Sequence, residues 1–150
     1  MKKKHIIFVC TGNTCRSPMA EIILKNKLKL AGIDSVRVSS AGLSAQEGSK
    51  MSENSASALK KLGYKPYGFK SKQLTKKMVE KADLVLCMTG THKAYLTGYK
   101  NVFTIKEVVG GVDVFDPYGR ELSVYVQVSH QLEDACNIIL NEILTEKGEN

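Results

Sequence analysis

A three-layer α/β/α sandwich around a four-stranded parallel sheet is the fold this sequence predicts, and three features predict it. Short apolar runs rich in β-branched residues recur along the chain, at His5–Val9, Val36–Val38, Leu84–Met88 and Val102–Thr104. Between them lie segments whose apolar residues repeat at helical spacing. Strands that alternate with helices need crossover connections, and crossovers build a parallel sheet.

Each element has its own local reason. His5–Val9 (HIIFV) is a short run without polar alternation, as in a strand buried on both faces. Ser17-Pro18 opens the first helix, with Ser17 as N-cap and Pro18 at the first helical position. Ala20, Ile23, Leu24, Leu28 and Ala31 mark its apolar face, and Gly32 stops it. Val36–Val38 is the second strand. Residues 39–55, rich in Ser, Gly and Asn, read as a long loop. Ala56, Leu59 and Leu62 form one helical face ended by Gly63. Leu84–Met88 (LVLCM) is the third strand, a helix follows near His92–Thr97, and Val102–Thr104 is the fourth strand. From Leu122 onward, Tyr125, Leu132, Ala135, Ile139 and Ile143 mark a long closing helix.

The bulk composition fits one domain over residues 1–150, with 43% hydrophobic residues and a net charge of +7. That charge favours anionic partners, either nucleic acid or phosphorylated molecules. The lysines are scattered, as on a solvated surface, so nucleic acid rests on net charge alone. Lys2-Lys3-Lys4 reads as a frayed end beside the first strand, too short for a targeting tract. No window approaches the ~20 apolar residues of a membrane span. Cys10, Cys15, Cys87 and Cys136 form no C-x-x-C pair and have no His cluster beside them, which argues against zinc. A chain of this kind predicts reduced thiols and a cytoplasmic location. His5, His92 and His130 are scattered and receive no catalytic role.

The segment between the first strand and the first helix is chemically unusual. It reads Cys10-Thr11-Gly12-Asn13-Thr14-Cys15-Arg16-Ser17. In parallel sheets ligands bind at the carboxyl ends of strands, which is where this segment lies. Its backbone N–H groups can curve into a nest, and the helix N-terminus adds donors and the positive dipole end. Gly12 lets backbone approach a ligand, and Arg16 can grip two oxygens with its planar fork. A tetrahedral dianion fits such a cradle. Cys10 lies in its floor, in a positive field that favours the nucleophilic thiolate, and the Ser17 hydroxyl can donate to the sulfur. Singly, each residue has a plainer reading: a buried small Cys, a Gly-Asn turn, a surface Arg, a helix start. In combination they read as a phosphate cradle with a nucleophile. A nucleotide P-loop would need a second Gly and a Lys, and a dinucleotide fingerprint would need G-x-G-x-x-G; neither is present.

This C-x5-R-S segment resembles the signature of the low-molecular-weight protein tyrosine phosphatase family. The likeness extends to Pro18-Met19-Ala20-Glu21, Ser40-Ala41-Gly42, Ala82–Met88 and Asp116-Pro117. It implies a cofactor-free and metal-free phosphatase, monomeric, acting on phosphorylated proteins, with no nucleic-acid or membrane partner. Arg16 and the backbone donors would supply the positive field. The resemblance makes Cys10 the nucleophile and Asp116 the general acid, then the base that activates water. Asp116-Pro117-Tyr118-Gly119 is also a good type I turn, and both readings can hold. Tyr118 would wall the substrate or be a plain turn aromatic. Asn13 and Ser40 would hold the loop in shape, although Ser40 also reads as a loop serine. Cys15 would form a protective disulfide with Cys10 or be a small buried residue.

Two positions bear on the substrate. Thr14 stands where many tyrosine-specific members carry an aliphatic residue, and in this it resembles the protein-arginine phosphatases of Gram-positive bacteria. Thr89 stands where many tyrosine-specific members carry Asp. The expectation is a preference for phosphoarginine, with phosphotyrosine accepted; a dedicated tyrosine phosphatase is the alternative. Arsenate reductases share the loop but relay a disulfide through cysteines near the third strand. Here Cys87 has no partner in Met88–Leu96, and Cys136 belongs to the inner face of the last helix. A non-catalytic phosphoprotein-binding module would need neither Cys10 nor Asp116.

Overall fold

The computed structural model describes residues 3–66 and 68–149. Four parallel strands, β1 (Lys4–Cys10), β2 (Val36–Gly42), β3 (Leu84–Cys87) and β4 (Val102–Thr104), lie in the order β2-β1-β3-β4. The helices are α1 (Arg16–Leu30), α2 (Glu53–Lys61), α3 (Lys76–Lys81), α4 (Gly90–Ala94), α5 (Ile105–Val109) and α6 (Leu122–Glu149). The chain leaves β1 toward β2 on one side and later crosses to β3 on the other. The carboxyl end of β1 is therefore the switch point, where a parallel sheet opens a crevice.

Central position explains the composition of β1. Ile6 and Phe8 enter the core beneath α1, α2 and α6, while Ile7 and Val9 enter a second core with Val79 of α3 and Val85. Each such side chain contributes roughly 1.5–3 kcal/mol when buried. A slip by one residue would exchange the two faces, so burial fixes the register and with it the place of Cys10. The predicted helices are present where the apolar spacing is long. Leu24, Leu28, Leu132, Ala135 and Ile139 are buried at the α1–α6 contact.

Three expectations need correction here. Residues 39–42 are not loop: they complete β2, which pairs with β1 from Lys4↔Val36 to Cys10↔Gly42. Pairing with a buried neighbour outweighs the weak strand preference of Ser and Gly. The loop also ends early, because α2 begins at Glu53 with Ser52 as N-cap. Finally, Lys4 is not frayed: it begins β1, donates its N–H to Ser35 O at 3.0 Å, and pairs with Glu146 at 3.7 Å. Lys2 lies outside the described residues. The short helices α3 and α5 were not legible, since one turn carries no period; hydroxyl caps at Thr75 and Thr104 start them.

Gly42 shows how tightly the strand ends meet. A Cβ there would lie 2.6 Å from Thr11 O and 3.0 Å from Asn13 N, both backbone atoms. Gly42→Ala is expected to push the loop off the end of β2 and to cost roughly 1–3 kcal/mol as overpacking. Urea unfolding measures this; equal midpoints for variant and parent would count against the close approach.

Candidate active site

The loop between β1 and α1 is held from inside by Asn13. This residue is fully buried and has φ 57°, the left-handed region that Asn tolerates better than most side chains. Its Nδ2 donates to Ser17 Oγ at 2.8 Å and to Ser40 Oγ at 2.9 Å, and its Oδ1 accepts from Lys72 N–H at 2.9 Å. Ser40, on β2, passes its own hydrogen to Glu21 Oε1 at 2.6 Å, and Glu21 Oε2 meets Lys25 Nζ at 2.6 Å. Sequence reasoning gave Glu21 no role beyond its place in the Pro18-Met19-Ala20-Glu21 likeness.

Ser17 is not the N-cap. The helix begins at Arg16 with Cys15 in the cap position and no side-chain cap bond. The Ser17 hydroxyl is used elsewhere: its oxygen accepts from Asn13, which leaves its hydrogen for Cys10 Sγ at 2.9 Å. Pro18 falls within the first turn, where its missing N–H is harmless.

Arg16 is buried, and Nη1 donates to Val114 O at 3.0 Å. Val114 in turn donates its N–H to Met88 O, at the end of β3, at 3.0 Å. These two bonds bring the segment before α6 over the loop and set Asp116 Oδ2 3.6 Å from Arg16 Nη2. The predicted turn is shifted by one residue. It runs Pro117–Arg120, closed by Arg120 N–H to Pro117 O at 2.9 Å, with Gly119 at φ 76° in its third position. That positive φ is what a type II turn requires. Asp116 stands just outside the turn, and its Oδ1 accepts from Tyr118 N–H at 3.1 Å. The carboxylate is thus aimed by an Asx-type bond instead of by the first position of a type I turn.

Cys10, Thr11, Gly12, Thr14, Cys15, Arg16, Asp116 and Tyr118 line one cavity of about 250 Å³. Asn13, Ser17 and Ser40 stand behind it as support. A Cβ on Gly12 would meet only Thr14 Oγ1, at 3.8 Å, so packing inside the protein does not demand this glycine. Cys15 faces Ser52 Oγ at 3.5 Å and Tyr125 Oη at 3.7 Å, and both Cys10 and Cys15 are free thiols. Tyr118 is largely exposed at the cavity mouth. Thr89 is not in the lining. It caps α4, and its Oγ1 lies 3.1 Å from His92 Nδ1. His92 Nε2 reaches Thr11 Oγ1 at 2.9 Å. This histidine, given no role from sequence, therefore touches the loop. Cys87 and Cys136 are buried, and burial pushes both thiols up to about 12.

A family model described as low molecular weight phosphotyrosine protein phosphatase matches residues 5–149. The protein-arginine-phosphatase of Bacillus subtilis (strain 168) is 39% identical over 145 residues, covering 92% of this chain and 95% of the relative. The low molecular weight protein-tyrosine-phosphatase PtpB of Staphylococcus haemolyticus (strain JCSC1435) is 36% identical over 133 residues, covering 85% and 91%. The solved structure of a YwlE arginine phosphatase variant with a phosphorylated active-site serine superposes with a TM-score of 0.86. It is 38% identical, and the match covers 93% of this chain and 95% of that one.

Burial, then the Arg16 charge, lowers the His92 pKa to about 4, while Asp116 and Asp113 pull weakly the other way. The folded value lies below the unfolded one of about 6.5. The unfolded chain therefore binds the proton first, and His92 subtracts stability as pH falls from about 6.5 toward about 4. NMR titration is expected to give a His92 midpoint near that lower value. A midpoint near 6.5 would contradict it.

Proposed function

Because the chain belongs to the low molecular weight phosphotyrosine protein phosphatase family, which are cysteine-dependent enzymes, we propose that it dephosphorylates phosphoarginine side chains by preference and also accepts phosphotyrosine. Cys10 is the nucleophile, Arg16 the oxyanion clamp and Asp116 the proton shuttle. The observation that carries this reading is that these three groups, from three separate elements, line one cavity. Thr14 lines the same cavity, and the similarity to a Bacillus arginine phosphatase supports the substrate preference.

The chemistry follows from the geometry. Cys10 Sγ, held by the Ser17 hydroxyl, attacks phosphorus; an S–P bond forms as the P–N bond to the guanidinium, or the P–O bond to tyrosine, breaks. Asp116 gives its proton to the leaving nitrogen or oxygen, a step that contributes about 10²–10⁴-fold for a positioned acid. Tyrosinate, with a pKa near ~10, would otherwise leave slowly. Arg16 and the N–H groups of the loop and of the first α1 turn hold the phosphoryl oxygens. Water then attacks the cysteinyl phosphate, Asp116 takes a proton from it, the S–P bond breaks and phosphate leaves. Glycine at position 12 keeps a side chain out of the oxygens' way. A monomeric, cytoplasmic enzyme is part of the same proposal. Among the described residues no helix is long and apolar enough to cross a membrane.

Phosphotyrosine as the main substrate is favoured by one observation: Tyr118 stands exposed at the cavity mouth, as a wall for a flat ring. Arsenate reduction is not favoured, since the thiols it would need at Cys87 and Cys136 are buried, protonated and outside the cavity.

Cys10→Ser is expected to abolish turnover and leave the unfolding midpoint unchanged. Residual turnover near that of the parent would remove the mechanism. Asp116→Asn is expected to lower kcat about 10²–10⁴-fold and to flatten the pH profile of kcat; an unaltered profile would leave Asp116 a loop residue only. Phosphate release from matched phosphoarginine and phosphotyrosine peptides tests the preference. The parent should favour phosphoarginine and Thr14→Ile should reverse that order. Preference of the parent for phosphotyrosine would establish the alternative.

A further inference from the structure

We propose that His92 is a positioning residue which turns the Thr11 hydroxyl into an additional donor for the phosphoryl group. The proposal rests on the phosphatase reading of the cavity and adds to it a residue outside the lining.

The run of contacts from Thr89 through His92 to Thr11 carries it. Thr89 Oγ1 caps α4 by accepting His92 N–H at 3.3 Å. That oxygen also lies 3.1 Å from His92 Nδ1. In the proposal the Thr89 hydroxyl, whose oxygen already accepts the backbone N–H, gives its hydrogen to Nδ1. The ring proton of a neutral imidazole then sits on Nε2. Nε2 lies 2.9 Å from Thr11 Oγ1, and with this tautomer it donates to that oxygen. Thr11 thereby accepts from His92 and keeps its own hydrogen, on a side chain that lines the cavity. The guanidinium of phosphoarginine offers only donors, so the acceptor that meets this hydrogen is a phosphoryl oxygen. Neutrality of the ring follows from its burial beside Arg16 of α1; Asp113 and Asp116, from the segment before α6, are the opposing charges. Thr89, which does not reach the cavity, thus acts on it through His92 and Thr11.

Three readouts test this. Nitrogen NMR of His92 at pH 6 to 7 should show a neutral ring with the proton on Nε2; a proton on Nδ1 would overturn the proposal. In the Cys10→Ser background, which cannot turn over, Thr11→Val and His92→Leu should each weaken inorganic phosphate binding about five- to tenfold, the scale of one hydrogen bond. Combining them should weaken it no further, and His92→Gln, whose amide can still donate to Thr11, should restore most of the affinity. Unchanged phosphate binding in Thr11→Val, or additive losses in the pair, would overturn it. Should His92→Leu fail to fold, Thr11→Val and the NMR measurement still decide. A parent enzyme that releases no phosphate from either peptide would sink the phosphatase reading itself; normal turnover with an indifferent Thr11→Val would sink only this inference.

Discussion

The shape of the loop between β1 and α1 depends on the conformation of one buried residue, Asn13. A loop that must turn from the end of a strand into a helix within five residues needs a left-handed step, and Asn13 takes it at φ 57°. Glycine would reach that conformation more easily. It would lose the three hydrogen bonds through which Asn13 ties α1, β2 and residue 72 together. A buried polar side chain satisfied on both amide atoms is rigid, because each alternative conformation leaves a donor or acceptor unpaired. The loop is thereby shaped by the fold itself.

Rigidity of this kind serves the chemistry. An anion hole stabilises a transition state well when its donors need no rearrangement at the moment of reaction. Arg16 is held by Val114, Val114 by the end of β3, and Asp116 by its own bond to the backbone of residue 118. Cys10, Arg16 and Asp116 are therefore fixed to β1, α1 and the segment before α6, all packed on one sheet. Their relative positions are as firm as the core. The Thr89–His92–Thr11 connection adds a fourth anchor from α4.

The strands, the long helices and the loop were legible because their signals are local. A buried central strand must be apolar, a helix packed on one side must repeat every three to four residues, and a phosphate cradle needs its residue types close together. The failures share a cause as well. Ser17 has the right chemistry for a cap, but Cys10 and Asn13 compete for its hydroxyl. Asp116-Pro117-Tyr118-Gly119 has the right composition for a type I turn, yet Gly119 favours the positive φ of a turn one residue later. Residues 39–42 look like loop until β1 offers them a ladder.

The sequence by itself determined the parallel α/β sandwich, the C-x5-R loop at the end of the first strand, and Cys10, Arg16 and Asp116 as the residues to examine. Each rests on a pattern that is short in sequence or carried by a likeness over the whole chain. Only the tertiary structure decided the use of Ser17, the parts played by Glu21, Val114 and His92, and the glycine at position 42 as a requirement of close approach. His92 and Val114 meet partners that are many positions away, 81 for His92 and Thr11 and 98 for Val114 and Arg16. A hydrogen bond is decided by distance and direction in space, and sequence spacing says nothing of either until the sheet has folded.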